Sequence, residues 1–336
     1  MTDIRRMALA GIVATLAGPA AAVTLDQYSS IFVFGDSLSD PGNLPPSAAP
    51  PSPPYYSDGS GFLPGGSGVQ FSDGPVWAER VGVTGNFAFG GAQATPEDGG
   101  PPDLAEQIGL FDAFRAVAGD VTGGANDLGV IWLGANDLFA AIGAAAGTVL
   151  GGGSLESALT GVQSVAVSAA ATIGDGIEAL SARGFESFAV FNLPALEATP
   201  LFTTVQPLAA PFAAFGTDVF NAALAAEVAA LEEQDVTLID IAAVFEELLA
   251  DPGAFGISNV TDACFVPPSA GSPGSLCDDP SSYAFFDFVH PTSTVHAQVA
   301  DVFHDALAPV PVPAGLPLLA LGLGGLALAG RRRVAA

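Results

Sequence analysis

The stretch TGGANDLGVIWLGANDLF, residues 122–139, places one apolar run between two copies of the same tetrapeptide. The run LGVIWL is short, continuous and rich in branched and aromatic side chains, which is typical of a buried β-strand. GAND precedes it at residues 124–127 and follows it at residues 134–137. Because a strand of about six residues spans about 20 Å, we expect the two copies at opposite edges of a sheet.

Working outward from this strand, predicted strands alternate with predicted helices along the chain. The predicted strands are 30–34, 128–133, 185–194 and 236–241, and the predicted helices are 74–82, 103–117, 154–183, 211–234 and 291–307. Short apolar strands that alternate with amphipathic helices predict a mainly parallel sheet covered on both faces, which is an α/β class. In such sheets the functional residues follow the carboxyl ends of the strands.

Ser37 follows the first predicted strand, in FGDSLSDPGN. Gly35 frees the backbone to turn sharply there, so the serine is a candidate nucleophile. A serine after a strand is also a common helix N-cap, and the turn by itself leaves both interpretations open. The G-x-S-x-G motif of α/β-hydrolases is absent from the sequence, which disfavours that fold.

A serine nucleophile needs a base, and the only histidines of the sequence are His290, His296 and His304. The last two fall inside the final predicted helix, where packed or partly exposed histidines are expected. His290 lies in the turn before that helix, in FFDFVHPT, with Asp287 three residues earlier. A carboxylate at that position can orient the imidazole and stabilise the imidazolium that forms when Ser37 loses its proton.

Acyl transfer also needs hydrogen-bond donors aimed at the developing oxyanion. The amide of Ser37 and a glycine turn in NFAFGGAQA, which contains Gly90 and Gly91, are candidates. Asn136 directly follows the strand 128–133, so its side chain is expected at the carboxyl edge beside Ser37. Asn126 precedes the same strand and is expected at the opposite edge, so we interpret the first GAND as an ordinary turn.

Taken together, four motifs resemble those of a GDSL-type lipase/esterase of the SGNH hydrolase superfamily. They are FGDSLSDPGN (34–43), NFAFGGAQA (86–94), WLGANDL (132–138) and FFDFVHPT (285–292), in the family's order. The resemblance covers most of residues 23–307. It implies a flavodoxin-like three-layer α/β/α sandwich with a mainly parallel sheet.

The same resemblance implies a role for each candidate residue. Ser37 would be the nucleophile and first oxyanion donor, Gly91 and Asn136 the other donors, His290 the general base and Asp287 the acid that orients it. Gly90 stays open as an alternative to Gly91. The implied activity is hydrolysis of a carboxylic ester, of a lipid or of an acylated small molecule or glycan, through an acyl-enzyme and without a cofactor or metal.

Two other activities use the same site, namely polysaccharide O-deacetylation and acyl transfer. A non-catalytic surface binding module would be favoured only if a member of the triad were missing, and all three residues are present. The enzyme interpretation therefore comes first.

Both ends of the chain have the pattern of targeting segments. Residues 1–22 combine two arginines, an apolar run and small residues, as in a secretory signal peptide. Residues 310–336 contain VPVPAG, an apolar run and three arginines, and resemble the VPLPA-CTERM tails of Gram-negative bacteria. That resemblance implies transient residence in the inner membrane, processing by sorting machinery and release to the cell surface or the medium; a permanent anchor is the alternative. Residues 23–309 would then form the hydrolase domain.

Composition narrows the possible partners. The 336 residues carry a formal net charge of −27 and no lysine, a balance that excludes nucleic acid and anionic lipid surfaces as natural ligands.

The only two cysteines, Cys264 and Cys277, are expected to form a disulfide in an exported protein. A zinc site would need more ligands.

Overall fold

A five-stranded parallel sheet organises the molecule, with the strand order β2-β1-β3-β4-β5. The strands are β1 (Ser30–Gly35), β2 (Gly85–Asn86), β3 (Asp127–Trp132), β4 (Ser187–Phe191) and β5 (Asp235–Ile239). The computed structural model describes Leu25 and residues 27–119, 124–269 and 272–308, and Leu25–Leu307 form one compact unit. Because the strands run in the same direction, their carboxyl ends meet at one edge.

Helices cover both faces of this sheet. They are α1 (Trp77–Arg80), α2 (Leu104–Ala118), α3 (Ala135–Leu150), α4 (Leu155–Ser181), α5 (Ala210–Ala230), α6 (Ile241–Ala250) and α7 (Ser293–Ala306). On one face Phe32 of β1 packs edge to face on Phe111 of α2, with ring centroids 5.0 Å apart. On the other face Phe191 of β4 lies parallel to Phe303 of α7 at 6.0 Å. The predicted three-layer α/β/α sandwich is confirmed, and its strand order is the flavodoxin-like one.

Among the residues that the structure describes, four short strands lie outside the main sheet: β6 (Asn259–Ala263), β7 (Phe265–Val266), β8 (Ser275–Leu276) and β9 (Tyr283–Phe285). They pair as β6 with β9 and as β7 with β8. The predicted disulfide Cys264–Cys277 is present and lies beside the second pair, since Cys264 precedes β7 and Cys277 follows β8. The turn that carries Asp287 and His290 follows β9 directly.

The helix α3 was not predicted from the sequence. Gly143 and Gly147 lie in its interior, and each lowers helical propensity by roughly 1 kcal/mol relative to alanine. The helix is stabilised instead by tertiary packing, because Leu138 and Ile142 are buried. The helix α6 and the short strand β2 were also missed.

Residues 41–68, rich in Pro, Gly and Ser, contain no helix or strand, as predicted. The helices α4 and α5 are long and apolar enough to cross a membrane by length and composition alone, but they pack against each other within the compact unit. The predicted signal peptide (1–22) and C-terminal tail (310–336) lie outside the described residues.

Candidate active site

The turn after β1 brings Ser37 to the carboxyl edge of the sheet. The strand ends at Gly35, whose amide and carbonyl are both held by the side chain of Gln107 from α2, at 2.8 and 2.9 Å. The carbonyl of Asp36 then accepts the amide of Asp40 at 3.0 Å and closes a tight turn. Ser37 is left 7% exposed, with its hydroxyl directed at a histidine.

The structure brings Ser37, His290 and Asp287 into one hydrogen-bonded line. Ser37 Oγ lies 2.8 Å from His290 Nε2, and His290 Nδ1 lies 2.7 Å from Asp287 Oδ2. The second oxygen of Asp287 accepts the amides of Val289 and His290 at 2.9 and 2.8 Å. These bonds close the turn after β9, so the carboxylate that contacts the imidazole also fixes the backbone that carries it.

Asp287 is held as an anion although it is buried. Burial by itself raises the pKa of the carboxyl, but the nearby His290, the hydrogen bonds from His290 and Tyr55 and the amide of Val289 outweigh it and lower the pKa to about 2. An ionised Asp287 keeps a proton on Nδ1 of the imidazole. Nε2 is then free to accept the proton of Ser37.

The glycine loop after β2 lines the same site. The amide of Gly90 donates to Asp40 Oδ2 at 2.8 Å, so it is already engaged. Gly91 has a φ of +82°, a conformation that glycine adopts without strain, and it lines the cavity above Ser37. Within the described ranges the amide of Gly91 has no hydrogen-bond partner.

Asn136 lies in the first turn of α3, immediately past the carboxyl end of β3, and lines the cavity together with Ser37. Its Nδ2 donates to the carbonyl of Ala92 at 2.9 Å. Because an amide nitrogen carries two protons, one is left for another acceptor. Asn126 lies at the other end of β3, exposed, as the strand direction predicts.

Asp137, the last residue of the second GAND, is a site residue that the sequence analysis missed. It is fully buried and accepts the amide of Ala94 at 2.8 Å, the amide of Thr95 at 3.0 Å and the hydroxyl of Thr95 at 2.5 Å. Asp137 thereby ties the glycine loop to α3. Its position directly after Asn136 in the second GAND is the sequence feature that could have indicated it.

Asp40 and Asn43, also missed, hold the glycine loop from the other side. Asp40 accepts the amides of Gly42, Asn43 and Gly90 at 2.8, 2.6 and 2.8 Å, and burial still raises its pKa to about 6. Asn43 Nδ2 donates to the carbonyl of Asn86 at 3.0 Å. Both residues belong to FGDSLSDPGN, so this motif supplies the supports of the site as well as Ser37.

Asp36, beside Ser37, is the least satisfied carboxylate of the site. It is 1% exposed. Its Oδ1 accepts the amide of Leu38 at 3.0 Å, whereas its Oδ2 has no hydrogen-bond partner in the part of the chain that the structure describes. Burial raises the pKa of Asp36 to about 7, against the amide bond from Leu38 and the nearby His290.

His296 has a packing role. His296 is fully buried in α7, with Nδ1 3.4 Å from the amide of Trp77, and burial lowers its pKa to about 3. It is therefore neutral, as a packed histidine is expected to be. Across the described residues, no group of three or more His, Cys, Asp and Glu side chains is arranged to hold a metal ion.

A cavity of about 210 Å³ opens over Ser37, His290, Gly91 and Asn136. Apolar side chains form most of its remaining wall: Leu38, Phe71, Phe139, Leu193, Leu196, Phe245, Phe285 and Val289. Such a wall suits an apolar group of a ligand. The arrangement is chemically competent for attack by a serine hydroxyl on a bound carbonyl.

Comparison with protein families places this site in a known context. The model of the family described as GDSL-like Lipase/Acylhydrolase matches residues 31–303. The matched range includes the turn after β1, the glycine loop, the second GAND and the turn that carries Asp287 and His290.

The chain is also similar to individual proteins. Phosphatidylcholine-sterol acyltransferase from Aeromonas hydrophila is 29% identical over 261 residues, which cover 73% of this chain and 68% of that protein. Esterase EstA from Pseudomonas aeruginosa is 30% identical over 84% of this chain and 47% of its own length, so this chain spans about half of that relative. Phospholipase A1 from Streptomyces albidoflavus NA297, a solved structure, superposes with a TM-score of 0.44 at 16% identity, covering 82% of this chain and 99% of that one.

Proposed function

The chain belongs to the GDSL-like Lipase/Acylhydrolase family and is an ester hydrolase, and from that premise we propose that it cleaves carboxylic esters through an acyl-enzyme formed on Ser37. One observation carries the proposal: the line of hydrogen bonds from Asp287 through His290 to Ser37, at 2.7 and 2.8 Å. Such a line activates a serine by general-base catalysis.

In the first half-reaction Ser37 Oγ attacks the ester carbonyl carbon and its proton passes to His290 Nε2. The tetrahedral intermediate collapses, the bond to the alcohol oxygen breaks, and His290 gives the proton to the departing alcohol. In the second half-reaction water loses a proton to His290 and attacks the acyl-enzyme. The carboxylic acid leaves and Ser37 recovers its proton.

The oxyanion is proposed to be stabilised by the amides of Ser37 and Gly91 and by Nδ2 of Asn136. Gly91 is preferred to Gly90 because the amide of Gly90 is engaged by Asp40. Asn136 keeps one amide proton after bonding Ala92. Donors that are held in place before reaction stabilise the transition state without reorganisation, and the bonds of Asp40 and Asp137 to the glycine loop supply that rigidity.

The proposed substrate is an ester whose acyl group is apolar and longer than acetyl. The support is the wall of the cavity, which includes Phe139 and Phe245 and is much larger than an acetyl group requires. This property disfavours polysaccharide O-deacetylation. Acyl transfer to an alcohol in place of water uses the same acyl-enzyme, and one relative is named as an acyltransferase.

We also propose that the protein is exported, with a signal peptide at 1–22, the hydrolase domain at 23–309 and a sorting tail at 310–336. The supports are the sequence patterns of both ends and the disulfide Cys264–Cys277, since such bonds persist in oxidising compartments.

The proposed function is tested by Ser37→Ala and His290→Ala, assayed on p-nitrophenyl esters of graded chain length. Each variant is expected to lose at least about 10³-fold in kcat, because removal of a triad member leaves only binding and oxyanion stabilisation. His304→Ala, which removes a histidine of α7, is the control and should keep wild-type rates. Near-normal turnover in a folded Ser37→Ala variant would reject the mechanism, and a strict preference for acetyl esters would reject the substrate class.

A further inference from the structure

Tyr55 reaches the catalytic turn from the irregular segment 41–68. Its hydroxyl donates to Asp287 Oδ2 at 2.6 Å, and Tyr55 and Asp287 are only 8% and 5% exposed. The same oxygen faces Nδ1 of His290 at 2.7 Å. The phenol and the imidazole therefore share one carboxylate oxygen, and the phenol is a direct neighbour of the proposed triad.

The phenol can act only as a donor in this contact. Burial and the adjacent Asp287 carboxylate both raise the pKa of Tyr55, so the hydroxyl keeps its proton near neutral pH. A hydrogen bond from a neutral donor to a buried carboxylate is charge-assisted, and it is stronger than a bond between two neutral groups.

Aromatic packing holds the ring in place. Tyr55 packs edge to face on Phe286 at 5.2 Å and on Phe265 at 5.6 Å, and Phe71 lies 6.3 Å away. Phe71 in turn lies 5.0 Å from the imidazole of His290. Tyr55, Phe265 and Phe286 belong to one small buried cluster with Cys264, so packing fixes the ring of Tyr55 while its hydroxyl bonds Asp287.

We propose that Tyr55 is a positioning residue that holds Asp287 against His290 and reduces the negative charge that the Asp287 carboxylate presents to the imidazole. This inference rests on the proposed function, since it assigns Tyr55 a role through the triad. Sharing of Oδ2 has two consequences. The carboxylate cannot rotate away from Nδ1, and part of its charge is neutralised by the phenol.

The test compares Tyr55→Phe with Tyr56→Phe. Both changes delete one hydroxyl from adjacent tyrosines and keep the rings. Tyr56 is the matched control because its hydroxyl has no hydrogen-bond partner across the described residues, and its backbone is held independently, by bonds to Ser72 and Gln70.

For Tyr55→Phe we expect kcat on a p-nitrophenyl ester to fall about tenfold with KM within about twofold of wild type, as for a lost hydrogen bond to a charged group. The acid limb of the kcat/KM profile should move to higher pH, because a carboxylate without the phenol stabilises the imidazolium more strongly. Labelling of Ser37 by a fluorophosphonate should show the same displacement. Tyr56→Phe should match the wild type in each measurement.

A Tyr55→Phe enzyme with wild-type kcat and acid limb would overturn the inference. A lower melting temperature with an unmoved acid limb would also overturn it, because that result describes a structural residue. Ser37→Ala, measured alongside, separates the two proposals. If Ser37→Ala stays active, the proposed function fails; if it is inactive and Tyr55→Phe behaves like Tyr56→Phe, only the role of Tyr55 fails.

Discussion

The two GAND copies differ in where their polar groups find partners. In the first copy, the amide of Gly124 donates to Asp127 Oδ2 at 2.9 Å and the amide of Asp127 donates back to the Gly124 carbonyl at 2.9 Å. In the second copy, Asn136 and Asp137 bond to the glycine loop, more than forty residues away. The aspartate side chain therefore closes a local turn in the first copy, whereas the asparagine and aspartate side chains of the second copy join distant segments.

The difference follows from the polarity of the parallel sheet. At the carboxyl edge the loops after β1, β2 and β3 converge, so a polar side chain there meets partners from other parts of the chain. At the amino edge the described partner of Asn126 is the backbone of Ser29, whose amide donates to its carbonyl at 2.8 Å. Position in the sheet, rather than residue type, decides which copy contributes to the site, and four predictions test this conclusion.

The largest expected effect is a difference in kcat between alanine variants of the two asparagines. Asn136→Ala should lower kcat by about 10²–10³-fold, or about 2.7–4 kcal/mol, because it removes a proposed oxyanion donor. Asn126→Ala, in the same sequence context, should leave kcat unchanged. Steady-state kinetics of both variants on one ester measures this difference. A fall in kcat for Asn126→Ala would contradict the placement of the active site at the carboxyl edge of the sheet.

The aspartates should give the next largest difference. Asp137→Asn replaces one acceptor oxygen by an amide group that faces the donors of Ala94 and Thr95, so we expect the free energy of unfolding to fall by about 2–3 kcal/mol and kcat to fall with it. Asp127→Asn should leave kcat unaltered, since its contact with Gly124 lies at the amino edge. Equal losses of activity in the two variants would contradict the assignment of Asp137 to the glycine loop.

The glycines extend the comparison to the backbone. Gly134 has a φ of +115°, and a Cβ there would lie 2.5 Å from the ring of Phe220, whereas a Cβ on Gly124 would meet nothing within 4 Å. Gly134→Ala should therefore lower the free energy of unfolding by about 2 kcal/mol, through strain and overpacking. Gly124→Ala should change it by less than about 0.5 kcal/mol. Urea denaturation measures both, and a well-tolerated alanine at 134 would disprove this difference.

The carboxyl edge should also carry a pH dependence of stability. The pKa of Asp36 rises from 3.8 to about 7 on folding, so its contribution is complete below about pH 4 and is lost as pH rises through about 7. Between about pH 4 and 7 the titration of Asp36 should therefore lower the free energy of unfolding by about 1.4 kcal/mol per pH unit. Asp36→Asn should remove this contribution and leave others, among them that of Asp40, which ends near its pKa of about 6, and that of His296, whose pKa is lowered from 6.5 to about 3 and whose contribution therefore has the opposite sign.

The control for this last prediction is Asp235→Asn, which alters an exposed carboxylate at the amino end of β5. It should keep the wild-type slope when urea unfolding is measured at several values between pH 4 and 7. If Asp36→Asn also kept that slope, the orphaned oxygen of Asp36 would have found a partner that stabilises its charge.

The sequence by itself determined the features that depend on local pattern. Periodicity and apolar runs predicted β1, β3, β4 and β5 and the helices α2, α4, α5 and α7, because one buried face imposes its period on the residues that form it. The direction of β3 then placed Asn136 at the carboxyl edge and Asn126 at the other. The motifs named Ser37, Asp287 and His290, which the structure brings within hydrogen-bonding distance.

Only the tertiary structure decided which groups are partners across long separations. Tyr55 and Asp287 are 232 residues apart, and nothing in the irregular segment around Tyr55 indicates that its hydroxyl reaches the triad. The local sequence pattern likewise did not predict three other features. These are the hydrogen bond from Gly90 to Asp40, the bond from Ala94 to Asp137 and the helix α3. A hydrogen bond depends on distances in space and a raised pKa on burial, and both arise only when the folded sheet brings its loops to one edge.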